Sequence, residues 1–331
     1  MIDVAIIGPT GGTHVASSLA RGARDAGLHC ATIETDAAFG TGPLQRLAWH
    51  LFDKYPLRLR PFLAGVKDRI ATDRPKVLLV LGGAPMTGAD LRAIGAGGVR
   101  CAHFSTDDPF NPRNGSRRLR ASLPVYDVVF TPRRSTIEDL AQLGCADVRY
   151  MPFAFDPALF HPPHEPGPLG PDVLFVGGGD ADRAAFFTDF LRHGPPPALV
   201  GGLWDRYPAL RPYWLGTKAP QDLQRLTAQA AVNICLVRRA NRDGHVMRSF
   251  EIPAIGGFML AEDTQEHRDL FGPDGACLRY FSGPEEAGRL AHWALAHPQE
   301  RVRMARALHD RITRGGHTYG DRIKTILAAL A

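Results

Sequence analysis

What most constrains this chain is a plan that it uses twice. Near the start an apolar run from Val4 to Gly8 ends in the turn Gly8-Pro9-Thr10-Gly11-Gly12-Thr13, and Val15, Leu19, Ala20 and Ala23 then recur at helical spacing up to Gly27. The second half repeats it, with an apolar strand from Asp172 to Val176, the turn Gly177-Gly178-Gly179 and a helix from Ala184 to Leu191. Strand, glycine turn and helix in that order open a Rossmann-like unit. Between the two lies HPPHEPGPLGP, His161 to Pro171, where proline and glycine are too dense to continue helix or sheet and make a stiff connector. The repetition predicts two α/β domains with parallel sheets. Further apolar strands at Val77 to Leu81, Arg100 to Phe104, Tyr126 to Thr131, Val232 to Val237 and Ala276 to Phe281, alternating with helical patterns, fit that plan.

A length of 331 residues suits two domains of about 150 residues each. No apolar run approaches the ~18 residues of a membrane span, and 44% hydrophobic with 22% charged residues is a globular composition. The net charge of +5 comes from 39 basic and 34 acidic residues. Its clusters, Arg117 to Arg120, Arg133-Arg134 and Arg238-Arg239, are short, unlike the basic stripe with interleaved aromatics of a nucleic-acid binder. A modest positive potential favours anionic substrates. Five scattered cysteines (Cys30, Cys101, Cys145, Cys235, Cys277) form no C-x-x-C, which argues against a disulfide framework or zinc site and for a reducing compartment. The opening MIDVAIIG enters a strand at once, so a cytoplasmic location is the expectation.

Three places carry candidate chemistry. Asp243 to Asp263 runs from a polar entry (Asp243, Gly244, His245, Arg248) through a short helix holding Glu251 to Gly256-Gly257 and the strand Phe258 to Ala261. A helix amino terminus beside a carboxylate and an arginine suits a phosphorylated ligand; the bland reading is a helix cap before a buried corner. Asp107 and Asp108 follow a strand end, where ligands sit in parallel sheets and where one carboxylate raises the pKa of its neighbour; alone, the same residues read as an Asp-Pro turn. His14 opens the first helix and is either a site residue or a surface histidine.

The spacing of Asp243-Gly244, Glu251, Ala254, Gly256 and the following strand resembles the donor motif of retaining glycosyltransferases of the GT-B class, with Asp243 where that class has glutamate. The strings Met-Arg-Ser-Phe-Glu and STDDPFN look more like the spore-maturation-protein-like (CgeB-like) glycosyltransferases. The resemblance implies a GT-B architecture. Residues 1–163 would bind the acceptor, residues 164–311 the nucleotide-sugar donor, and residues 312–331 would form a terminal helix crossing back to the first domain. It implies that Glu251 grips the donor ribose, that Asp243 faces the sugar, and that Arg183, Arg248 and Gly178, Gly256 and Gly257 serve the donor. Gly11 and Gly12 would give close backbone approach, and His14, Asp107 or Asp108 would act on the acceptor. The nucleotide-sugar is a co-substrate, with no cofactor. Asp180-Ala181-Asp182 also spells the D-x-D of metal-dependent GT-A enzymes, but the two-domain plan implies metal-independent transfer. The alternatives are a two-domain nucleotide-sugar epimerase and a nucleotide-binding protein of the same fold without catalysis, which Asp243 in place of glutamate keeps open.

Overall fold

The computed structural model describes residues 2–40, 42–164 and 170–331. In chain order the elements begin β1 (Val4–Gly8), α1 (Val15–Asp25), β2 (Cys30–Glu34), α2 (Pro43–Leu51), α3 (Leu59–Asp73), β3 (Val77–Leu81), α4 (Gly88–Ala96), β4 (Arg100–Phe104), α5 (Arg117–Ser122), β5 (Val128–Thr131), α6 (Ile137–Gln142) and β6 (Val148–Tyr150). They continue β7 (Val173–Val176), α7 (Ala181–Phe190), β8 (Pro197–Val200), α8 (Pro220–Gln229), β9 (Val232–Cys235), α9 (Arg248–Ile255), β10 (Met259–Glu262), α10 (Gln265–Phe271), β11 (Arg279–Phe281), α11 (Pro284–Ala296), α12 (Pro298–Arg314) and α13 (Tyr319–Ala328).

Two compact units result. The first comprises Met1–Pro152, Ala240–Asp243 and Tyr319–Ala331; the second comprises Phe153–Arg239 and Gly244–Thr318. The boundary in the contacts therefore falls at Pro152 and Phe153, before the proline-rich stretch. Part of that stretch, residues 165–169, lies outside the described residues.

The first unit holds a six-stranded sheet in the order β2-β1-β3-β4-β5-β6, every ladder parallel. Helices cover both faces of such a sheet, so its central strands are continuous apolar runs: all of Val4–Gly8 and all of Val77–Leu81 are buried. The last helix, α13, packs on α1 through a backbone contact that only glycine permits, because a Cβ on Gly22 would stand 2.5 Å from the Gly320 nitrogen. Tyr319, Ile323 and Ile326 are buried there.

The second unit holds a five-stranded parallel sheet, β11-β10-β9-β7-β8. Strand order reverses between β7 and β9, the point beyond whose carboxyl ends ligands settle in open α/β sheets. Its core joins Phe175, Phe187, Phe190, Trp204, Phe258 and Phe281.

Candidate functional site

In the second unit the polar entry is built around Gly244. A Cβ there would lie 2.5 Å from the Glu266 carboxyl carbon, and Thr264 donates its hydroxyl to the Gly244 carbonyl. Glu266 in turn binds Nδ1 of the fully buried His245 at 2.7 Å, while the Phe153 amide donates to His245 Nε2 at 3.1 Å. One ring nitrogen accepting from an amide leaves the other to donate to the carboxylate, so the tautomer is set. His267 is held the same way. Nδ1 donates to the Glu262 carbonyl at 2.7 Å and Nε2 accepts from Ser249 Oγ at 2.8 Å, and burial pulls its pKa down to about 4. These contacts fix the loop that leads into α9.

Glu251 stands in the first turn of α9 and is 3% exposed. Arg248, one turn earlier and partly exposed, donates to its carboxylate. Burial raises the Glu251 pKa against the pull of Arg248, and the buried Asp156 raises it further. Asp156 was not singled out in the sequence, where it sits in the Phe-Asp-Pro run before the connector. A carboxylate placed in a helix first turn, beside a guanidinium and a second carboxylate, can accept from the hydroxyls of a ligand while the arginine meets an anion. Gly256 and Gly257 lie at the other end of the helix. Gly256 takes the left-handed conformation (φ +88°) that terminates α9, and a Cβ on Gly257 would meet Asn233 Nδ2 at 2.8 Å. Both have folding reasons to be glycine.

The glycine turn after β7 is tied to its neighbour. Gly177 and Gly179 amides donate to Val200 and Gly202 carbonyls, and Trp204 Nε1 donates to the Gly177 carbonyl. Arg183 lies over the Phe175 ring and donates to the Gly178 carbonyl at 2.9 Å. Asp180 accepts from the Arg183 amide, which makes it the cap of α7. A Cβ on Gly178 would find only ordinary contact, 3.5 Å from the Gly202 carbonyl, so packing does not require glycine there. A cavity of about 340 Å³ opens at this edge of the sheet, between Arg183 and Phe186 of α7, Val237 and Arg239 after β9, and Glu262 of β10. Glu262, unremarked in the sequence, accepts from the Val237 amide and from Arg239. Among the described residues, no three of His, Cys, Asp and Glu gather as a metal site.

In the first unit Gly11 (φ +88°) and Gly12 (φ +47°) turn the loop after β1 with open space around them. The loop is pinned by Glu34 at the end of β2, which accepts from the Thr10 amide at 2.7 Å and from the Thr10 hydroxyl. Burial works to raise the Glu34 pKa, but these bonds prevail and lower it. His14 is exposed and occupies the N-cap position of α1, with its side chain making no capping bond.

Asp107, Asp108 and Asp243 come together with the strand ends β4 and β5. Asp243 is paired with Arg133, and their side chains are 4% and 2% exposed. Arg133 also donates to the Ser105 and Thr106 carbonyls. Arg242, in the left-handed region (φ +53°), binds Asp108 through two nitrogens and Asp139 through a third. Asp107 accepts from Asn114 and Asn241, and Asn241 accepts from Asn111 at 2.7 Å. Residues 240–243 are thus a strap bound to the first unit.

This arrangement of two Rossmann-like units has solved counterparts over nearly the whole chain. Sucrose-phosphate synthase from Thermosynechococcus elongatus superposes with a TM-score of 0.69 at 15% identity, covering 100% of this chain and 98% of that one. The Anabaena protein HepE, solved with UDP and glucose, gives a TM-score of 0.66 at 12% identity, covering 99% and 98%. The fold is GT-B. A putative UDP-N-acetylglucosamine 2-epimerase from Listeria monocytogenes also superposes, with a TM-score of 0.55 at 14% identity, covering 99% and 95%. The family described as "Glycosyl transferase-like" matches residues 183–328, which include Arg183, Arg248 and Glu251. No curated protein sequence matches the chain.

Proposed function

We propose that this protein is a metal-independent glycosyltransferase of the hexosyltransferase type, close to the CgeB-like group, which moves a sugar from a UDP-sugar to an acceptor. The observation that carries the reading is the Glu251 and Arg248 pair: a buried carboxylate with a raised proton affinity, in a helix first turn, within the segment that matches the glycosyltransferase-like family. Structural relatives with UDP bound make UDP the first nucleotide to try.

In this reading Glu251 accepts from the ribose hydroxyls, and Arg248 and Arg183 face the diphosphate with the Gly178 turn beside it. Breaking the bond between the anomeric carbon and the phosphate oxygen leaves positive charge on the sugar and negative charge on UDP. Guanidinium groups and helix N–H donors already in place stabilise that developing charge, and for that reason the proposal includes no metal. On the acceptor side the exposed His14 is the candidate base. Asp107 and Asp108 hold their surroundings through Asn114, Asn241 and Arg242 and act on the acceptor only by position.

A second reading, a nucleotide-sugar epimerase, is favoured by the likeness to the Listeria protein. Product analysis separates them. The transferase releases UDP and needs an acceptor, or water in its place; the epimerase converts the UDP-sugar alone and releases none. Neither product from any UDP-sugar, with UDP bound, points to a binding protein.

A further inference from the structure

Among the described residues, seven of the ten large hydrophobic side chains that are exposed fall in one short segment: Leu44, Leu47, Trp49, Leu51, Phe52, Tyr55 and Leu57. Scattered exposed leucines need no explanation, but a contiguous set does. The segment is α2 and the turn after it, and the helix is inside out. Leu44, Leu47 and Leu51 recur at i, i+3 and i+7, which is one stripe of a helix, and they are 71%, 51% and 65% exposed. The buried positions of α2 are Ala48 and the polar Gln45.

Gln45 explains why the helix stays this way round. Its amide oxygen accepts from the Gly40 and Leu57 amides at 3.0 and 3.1 Å, and its nitrogen donates to the Tyr55 carbonyl at 3.0 Å. Turning the leucine stripe inward would break all three bonds. The turn is braced as well: Asp53 accepts from the Arg117 amide, and Arg118 lies over the Tyr55 ring and donates to the Lys54 carbonyl. The apolar face is held outward by polar contacts behind it.

The charges around the face are predominantly positive. Arg46, Lys54, Arg58 and Arg60 lie in the segment and Arg117 and Arg118 at its edge, and Asp53 is the one carboxylate between Pro43 and Arg60. Leucine, phenylalanine, tryptophan and tyrosine flanked by arginine and lysine is the composition of a helix that lies in a bilayer interface. There the apolar side chains enter the acyl boundary and the cations meet anionic headgroups. We infer that residues 43–60 are a docking face for an anionic membrane surface. The inference rests on this face alone and not on the transferase reading. No helix among the described residues is long and apolar enough to cross a membrane, so the contact is with one leaflet.

The test is co-sedimentation of the full chain with vesicles of phosphatidylcholine, with and without phosphatidylglycerol, alongside sedimentation equilibrium without lipid. The protein sediments with the anionic vesicles, less as salt rises, and its tryptophan emission shifts to the blue in a Trp49-dependent way. The triple change Leu47→Ser, Leu51→Ser and Phe52→Ser abolishes this at an unchanged melting temperature, since those side chains are exposed. Arg58→Ala and Arg60→Ala each weaken binding about fivefold. Failure to sediment with either vesicle, equal binding to both, or a dimer in solution that the triple change dissolves would overturn the inference, the last assigning the face to a second copy.

Discussion

Asp107, Asp108 and Asp243 in the first unit and Glu251 in the second are surrounded differently. In the first, Asp108 and Asp243 are each matched by an arginine, Asp107 by two asparagines, and the arginines go on to bond backbone carbonyls and Asp139. In the second, Glu251 faces one arginine and a neighbouring acid, and its affinity for protons is raised. A charge whose surroundings compensate it on every side holds a fold together. One left short of compensation in a helix first turn is poised for a ligand that completes the set. Asp243, in the strap 240–243, belongs to the first unit and Glu251 to the second, although only seven residues lie between them in sequence.

The largest expected effect is on the first unit. Arg133→Met leaves Asp243 buried without its guanidinium and lowers stability by about 3–5 kcal/mol, read from the denaturation midpoint, while the affinity of surviving folded protein for UDP is unchanged. A stable variant that had lost UDP binding would erase the contrast.

Much of this was legible in sequence, for identifiable reasons. Strands buried on both faces, such as Val77–Leu81, show as unbroken apolar runs, and the glycine turns after β1 and β7 mark the start of each unit. Glu251 and Arg248 are three apart on one helix, so their pairing follows from spacing. The strap does not: Asp108 and Arg242 are 134 residues apart, and nothing local says that Asn241 to Asp243 return to the first unit. Asp156 escaped notice because its neighbourhood to Glu251 is tertiary. Gly256, Gly257 and Asp180 carried motif resemblance but have local duties as helix stop, packing contact and helix cap.

A smaller effect sharpens the same comparison through histidine. His103 in β4 is fully buried beside Tyr126, and burial pulls its pKa down to about 3; His267 in the second unit is pulled down to about 4. Unfolded histidines take up protons near pH 6.5 while these stay neutral, so below that pH the unfolded state binds more protons and stability falls. Each contributes a slope of about 1.4 kcal/mol per pH unit, absent above about pH 6.5 and acting from there down to the folded pKa. Melting temperatures followed from pH 7 to 5 should drop, and His103→Leu should remove part of the slope at little cost, since neither ring nitrogen has a hydrogen-bond partner among the described residues. His267→Leu should also destabilise at pH 7, because Ser249 and the Glu262 carbonyl lose their partner. A slope that His103→Leu leaves intact would mean that this ring is protonated in the fold.

The most direct measurement is calorimetric titration of UDP into the wild-type protein and into Glu251→Gln. Glutamine keeps the shape and removes the charge, so the prediction is UDP binding weakened at least thirtyfold, the equivalent of about 2 kcal/mol, with the fold retained. Equal affinity in the two proteins, or no UDP binding by the wild type, would contradict the assignment of Glu251 to the donor.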